Sequence, residues 1–450
     1  MTGHYDELAL QDYLDDPASV EDRAEMELHL ALCRSCAELL DELRAFDATL
    51  AAESVWELAD SAQEEAPGEL RTIAAMIARE DSDAAQLLTP LIASPASFRR
   101  ANITAVPSMR TAGVVRKLAS ESRALRERQP MHALVLADAA IALADQLPAD
   151  KYPETMVDEL RGGGWLERAN VLRYLGRYAE ALDATDIAAR AYARSPVSVY
   201  SMALIGYLRA VIFVETQRLD EALPLVRKAA RVFKQFGEDE RYVHAKIVEA
   251  SVLFDQNRYR EARDLFLSLV RVAKGLGDAT TLARLYGNVA NCQLRLHELE
   301  SADIYFARAL SLYEALGLET ERIRTRWSIG SLRIANGDVA DGLARLREAR
   351  REFEELGLRS DAALVSLDIA EALLAAGTAS GAQQAAELCS SIIESFTSVG
   401  MTGHALTALA FLNEAFASGR ATPGMVRHVR HYLETRPDHT GNPFVPPSHL

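Results

Sequence analysis

The stretch DQNRYREARDLFLSLVRVAKGLGD, residues 255–278, decides the fold. It opens on a turn residue, Asn257, meets Tyr259 two positions on and Ala262 five on, and closes on Gly277. The same punctuation returns along the chain. Asn257 stands in a column with Gly176, Gln217, His297, Gly337 and Gly377, at successive spacings of 41, 40, 40, 40 and 40. Seven residues before each turn lies a small residue: Ala169, Ala210, Ala250, Ala290, Gly330 and Ala370. Five after it lies another: Ala181, Ala222, Ala262, Ala302, Gly342 and Ala382. Two after it comes an apolar or aromatic residue: Tyr178, Leu219, Tyr259, Leu299, Val339 and Ala379. Gly237, Gly277, Gly317 and Gly357, each 40 apart, stand where C-cap glycines end a helix. Gly400 follows after 43, so the last unit carries an insertion near GTASGAQQ.

Two antiparallel helices approach closely only where small side chains face each other, and the two small columns supply that contact. Each hairpin then has apolar surface on two sides and must stack on neighbours. YLGRYAEALDATDIAARAY (174–192) and the stretch at 255–278 resemble the tetratricopeptide repeat. That repeat usually has a period of about 34, so 40 implies longer helices. The resemblance covers residues 165–400, and LASESRALRERQPMHALVLADAAIALADQL at 118–147 reads as a weaker first unit. It implies an all-α protein, an antiparallel helix-hairpin array wound as a right-handed solenoid. Two of the four cysteines fall into its columns. Cys292 aligns with Val171, Ile212, Val252, Leu332 and Ala372, and Cys389 with Ala188, Ala229, Leu269, Ala309 and Ala349, so both read as small core hydrophobes.

Composition agrees with this: 49% of the 450 residues are apolar and only 7% aromatic. No run approaches the roughly 20 apolar residues that span a bilayer. The opening MTGHYDELAL lacks the basic-then-apolar order of a signal peptide, so a cytoplasmic location is expected. The net charge of −16 is concentrated: residues 1–65 hold 18 Asp and Glu against three Arg. Such a segment repels nucleic-acid phosphates and suits a basic protein partner, unless it is acidic only for solubility.

The octet HLALCRSC, residues 29–36, does not belong to the array. Four cysteines make no disulfide framework in a chain this long, and a close pair in a reducing compartment points to a metal. SVEDRAEMELHLALC reads as a helix with Ser19 as its cap and Asp22 as an approximate capping-box partner. His29 and Cys33 are then i, i+4 on one face, and Cys36 returns to the same point as the chain enters a second helix striped by Leu39, Leu43, Phe46 and Leu50. Three ligands of a tetrahedral Zn²⁺ site are thereby set locally. The fourth must come from elsewhere. His4 is the candidate and Asp6 the runner-up, on a first helix whose Leu10, Tyr13 and Leu14 pack on the other two.

HYDELALQDYLDD followed by ELHLALCRSC resembles the zinc-finger domain of zinc-associated anti-sigma factors over residues 3–50. The mark of that family is a histidine, three residues, a cysteine, two residues and a cysteine. His29, Cys33 and Cys36 match it, and His4 stands where the family's upstream ligand stands. The resemblance implies a structural zinc ion and a bacterial extracytoplasmic-function sigma factor as partner. Two departures stand out: redox-sensing members carry an upstream cysteine where this chain has Gly3 and His4, and many members continue into a membrane helix.

No P-loop, GxSxG elbow, HExxH or dinucleotide loop occurs, so no enzyme is expected. RGGGW at 161–165 reads as a loop before a helix. His428 and His431 could form a second metal site but read as a solvated face, while Asn170, Asn288 and Asn291 lie on first helices, where they could hold peptide backbone or be ordinary surface residues. The expected organisation is an anti-sigma-like zinc head at 1–55 and a linker with short helices, such as 69–80, at 56–104. An array of about seven units follows at 105–435, closed by the basic capping helix PGMVRHVRHYLE, and a disordered tail occupies 436–450. The leading function is regulatory: the head binds a sigma factor and the array a protein or peptide, with no nucleic acid or membrane contact. The alternative is an interaction scaffold whose zinc head is purely structural.

Overall fold

The computed structural model describes residues 5, 10, 13–14, 23–51, 68–92, 103–194, 198–399, 403–434 and 443–447. Among the described residues the regular elements are all helical, with no strand. The chain divides into two compact bodies, one of residues 1–213 and 220–238, the other of 214–219 and 239–450.

The first body begins with α1 (Arg23–Leu32) and α2 (Arg34–Ala51). Leu10, Met26, Leu40 and Leu43 form their small core, with Tyr5, Tyr13, Leu14, Leu30 and Leu39 packed around it. The expected contact of Leu10, Tyr13 and Leu14 with the two helices is therefore present. The side chains of Phe46 and Leu50, and the proposed cap at Ser19 and Asp22, lie outside the described residues.

The helices α3 (Gly68–Ile92), α4 (Ala112–Leu125), α5 (Pro130–Ala144), α6 (Glu154–Tyr174), α7 (Tyr178–Tyr192), α8 (Ser198–Glu215) and α9 (Leu219–Gln235) follow. Helix α3 is longer than the stretch expected at 69–80, because Ala84 and Leu88 carry its apolar stripe onward into a core shared with Val115, Leu118 and Leu136. It lies against the start of α4 so closely that a Cβ on Gly113 would fall 2.4 Å from the Glu80 backbone. Glu80 is fixed there by the ammonium of Lys151 and the hydroxyl of Tyr152, the latter donating over 2.6 Å.

RGGGW is not a loop. It lies inside α6, and its glycines answer to packing. A Cβ on Gly162 would sit 2.9 Å from the Tyr192 ring of α7, and one on Gly164 would sit 2.9 Å from Ile141 of α5. Glycine inside a helix usually costs about 0.5–1 kcal/mol relative to alanine; here it lets two neighbouring helices close in.

The second body holds α10 (Asp239–Asp255), α11 (Tyr259–Leu276), α12 (Ala279–Arg295), α13 (Leu299–Leu316), α14 (Glu319–Ala335), α15 (Val339–Glu355), α16 (Arg359–Ala375), α17 (Ala379–Val399), α18 (Gly403–Ala417) and α19 (Pro423–Glu434). These are the hairpins that the 40-residue period implies. The turn column exists because each of its residues takes the left-handed conformation: φ is 71° at Gly176, 59° at Gln217, 62° at Asn257, 59° at His297, 89° at Gly337 and 67° at Gly377. At Asn257 the Arg258 N–H donates to the Leu253 carbonyl over 2.8 Å and the Asn257 N–H to the Phe254 carbonyl over 2.9 Å. This closes the helix end that would otherwise expose free carbonyls.

The small columns are contact points. Cβ atoms on Gly330 and Gly342 would fall 2.9 Å from Leu346 and 2.8 Å from the Gly330 carbonyl, respectively. The last aligned unit departs from the expected register. Ala382 is exposed, and Gly381 takes the close approach, its Cβ position lying 2.7 Å from the Leu373 carbonyl. Cys292 and Cys389 are buried, as are the other residues of their columns.

The expected capping helix is α19, with Val426 and Val429 buried. Arg430 pairs with Asp368 at 2.5 Å, and Trp327 Nε1 donates to the same carboxylate at 2.5 Å. Of the tail expected at 436–450, only residues 443–447 are among the described residues. Phe444 is only 9% exposed, because its ring finds an aromatic slot on α18 and α19.

Candidate metal centre

The helical hydrogen bonding of α1 carries through Cys33 into α2. The Cys33 N–H donates to the His29 carbonyl over 2.7 Å, and the Ala37 N–H to the Cys33 carbonyl over 3.0 Å. Residues 29, 33 and 36 therefore fall at i, i+4 and i+7 on one helical face, and the donor atoms of His29, Cys33 and Cys36 lie within 4.8 Å of one another. His29 Nε2 is 3.4 Å from Cys36 Sγ. A tetrahedral zinc with Zn–N near 2.0 Å and Zn–S near 2.3 Å sets N···S at about 3.6 Å and S···S at about 3.8 Å. The His29–Cys36 separation is close to this, and the three donors lie near enough to one another to share one ion.

Their surroundings add to the fit. His29 and Cys33 are half-buried and Cys36 is buried. Burial pushes the Cys36 thiol above its ordinary value, and the adjacent Cys33 adds to the rise. A thiol buried in this way has little reason to ionise unless a cation draws it. Tyr5 closes one side. Its ring stands edge-on to the imidazole of His29 at 5.0 Å between centroids, and its carbonyl accepts from the Cys36 thiol over 3.9 Å. Tyr5 was not singled out by the sequence; the aromatic directly after His4 is the only signal that would have marked it. His4 and Asp6 lie outside the described residues.

Beside the donors, Leu28 and Leu32 of α1 are 56% and 80% exposed. A hollow of about 320 Å³ opens between α1 and α2, lined by Tyr13, Glu27, Leu30, Leu40, Asp41 and Arg44.

The other candidates separate from this centre. Among the described residues, His29, Cys33 and Cys36 are the one group of three donors with metal-site spacing. Neither histidine of α19 is simply solvated: His428 meets the carbonyl of Val445 at 2.9 Å, and His431 faces Glu434 at 3.8 Å. Asn170 accepts from Arg173 at 3.1 Å. Asn288 and Asn291 are half-buried on one face of α12. No described helix is long and apolar enough to cross a membrane.

Comparison with known proteins follows the same division. Residues 7–37 match the family described as "Putative zinc-finger", and residues 249–315 match the family described as "Tetratricopeptide repeat". No curated protein matches the sequence. Among solved structures, aspartyl phosphate phosphatase F from Bacillus subtilis is similar with a TM-score of 0.52 and 13% identity, over 83% of this chain and 97% of that one. The apo form of RapI gives a TM-score of 0.47 and 14% identity over 62% and 98% of the two chains. NprR in complex with its cognate peptide NprX gives 0.41 and 14% over 63% and 82%. At these identities the likeness is one of fold. What the matches establish is a helical repeat array with a tetratricopeptide segment at 249–315 and, ahead of it, a zinc-finger segment at 7–37.

Proposed function

We propose that this is a cytoplasmic, non-enzymatic regulator. Its head holds one structural Zn²⁺ through His4, His29, Cys33 and Cys36 and binds a bacterial sigma factor of the extracytoplasmic-function type. Its repeat array recognises a second protein or a peptide. The observation that carries the reading is the three-donor cluster with an N···S separation of 3.4 Å, inside a segment that matches the zinc-finger family. The carbonyl of Tyr5, 3.9 Å from Cys36 Sγ, supports His4 as the fourth ligand, since His4 is the next residue in the chain.

Bound zinc would hold the helices of the head together. Among the described residues its core is Leu10, Met26, Leu40 and Leu43, and a bound ion would add to what holds so small a unit together. With four protein ligands the ion keeps no open position for chemistry. The exposed Leu28 and Leu32 offer an apolar contact on a segment whose residues 1–65 hold 18 Asp and Glu against three Arg, and this suits a helix that is apolar on one face and basic on the other.

Titration of the full-length protein against the host's sigma factors tests the reading. Association should be tight at low salt and weaken as salt rises, with a slower on-rate. A Leu28→Glu, Leu32→Glu variant should lose the partner and keep its zinc. Zinc with no sigma factor bound would leave the alternative, a tetratricopeptide interaction scaffold with a purely structural zinc head.

A further inference from the structure

The end of the array holds an aromatic slot. Phe411 on α18 and His428 and Tyr432 on α19 form three walls of a slot, the last two being i, i+4 on one helical face. Phe444 fills it. Its ring lies 5.4 Å from Phe411, 5.5 Å from His428 and 5.1 Å from Tyr432 between centroids, at interplanar angles of 50°, 60° and 66°. These are tilted and edge-on arrangements, which the ring quadrupoles favour over face-to-face stacking. The floor belongs to the same core as Leu412, Val426 and Val429.

The backbone is held as well. The Nε2 of His428 meets the Val445 carbonyl at 2.9 Å, and with Nε2 protonated it is the donor. Val445 itself is 70% exposed, so its side chain contributes little and its carbonyl contributes the contact. Pro443, Pro446 and Pro447 flank this pair. Each proline fixes its own φ and biases the residue before it to extended backbone, so the segment loses little entropy on docking. An aromatic anchor, one backbone acceptor and flanking prolines are the parts of a short linear ligand.

We propose that the slot between α18 and α19 is a binding site for an extended Phe-x-Pro-Pro peptide, and that the chain's own residues 443–447 occupy it. An outside peptide of this class enters only by displacing the tail, so its apparent affinity falls by the fraction of time the slot stands open. This site is independent of the metal centre and of the sigma-factor reading.

The test uses the full-length chain and a fluorescein-labelled peptide of sequence GNPFVPPSHL, followed by fluorescence anisotropy. A Phe444→Ala chain should bind the peptide at least tenfold more tightly than the unaltered chain. The same peptide with alanine in place of phenylalanine should not bind. Equal binding by both chains, or no binding by a Phe444→Ala chain with unaltered circular dichroism, overturns the proposal. If Phe444→Ala does not fold, a chain carrying a protease site between Pro437 and Asn442 replaces it. Cleavage should then make the slot available, and a cleaved, folded chain that ignores the peptide overturns the proposal equally. A dimer of the unaltered chain by light scattering, turned monomeric by Phe444→Ala, would put the tail in a neighbouring copy and overturn the assignment to the same chain.

Discussion

His29 Nε2 stands 3.4 Å from Cys36 Sγ although the two residues are seven apart, because helical hydrogen bonding continues through Cys33. Three donors of the metal face are therefore set locally, across the junction of α1 and α2 at Cys33, while a ligand from ahead of α1 has to be brought to them by the packing of Tyr5 and Leu10. The full-length protein should purify with one zinc. Cys33→Ser should remove most of it, and His4→Ala should remove less, since Asp6 or water can take that place. Metal analysis of the three proteins decides this; full zinc content in Cys33→Ser would refute the site.

Chelation should cost the head its structure and leave most of the helicity, because the array's stability is a sum over repeats and their interfaces. Far-UV circular dichroism before and after chelation reads this directly. Loss of most of the signal would mean that the array depends on the metal.

The four cysteines should fall into two classes towards a thiol reagent. Burial pushes the thiols of Cys292 and Cys389 up to about 12, and both are almost inaccessible. The thiolate is the reactive form, so these two should stay unlabelled at pH 8 until the protein is unfolded. Cys33 and Cys36 should label readily after chelation and slowly with zinc bound. Rapid labelling of Cys292 in the folded chain would contradict the packing of α12.

The glycine triplet of α6 gives a contrast between neighbours. Gly162→Ala puts a Cβ 2.9 Å from the Tyr192 ring and should destabilise by about 1–3 kcal/mol. Gly163→Ala meets only the Tyr192 hydroxyl, at 3.5 Å, and should be neutral or stabilising by up to ~1 kcal/mol, as alanine is the better helix former. Urea midpoints of the two variants would show whether the close approach is real; equal midpoints would deny it.

The turn column allows a stabilising substitution. His297 is held at φ 59°, a region that costs an ordinary residue about 1–2 kcal/mol and glycine almost nothing. Glycine loses more entropy on folding, so His297→Gly should raise stability by a net ~0.5–1 kcal/mol. Gly337→Ala, at φ 89°, should lower it by a similar amount. A thermal midpoint that falls for His297→Gly would mean that the imidazole has a packing role.

The repeat was legible because its rules are local. Turn, cap and small-residue contact recur at one period, and each position is decided by the conformation or the crowding at that position. The three-donor face was legible for the same reason, since His29 and Cys33 are i, i+4 on one helix face and Cys36 follows three residues on, where the chain enters the next helix. What the sequence hid depends on what approaches from elsewhere in the chain. RGGGW looks like a loop until the Tyr192 ring and Ile141 are seen to need the missing Cβ atoms. Gly381, not Ala382, takes the last close approach, and only the Leu373 carbonyl shows where the helices meet. Phe444 reads as part of a proline-rich tail until Phe411, His428 and Tyr432 are brought around it. Local geometry is written in residue spacing. Contact between distant segments depends on where the packed helices carry them, and only the tertiary structure decided that.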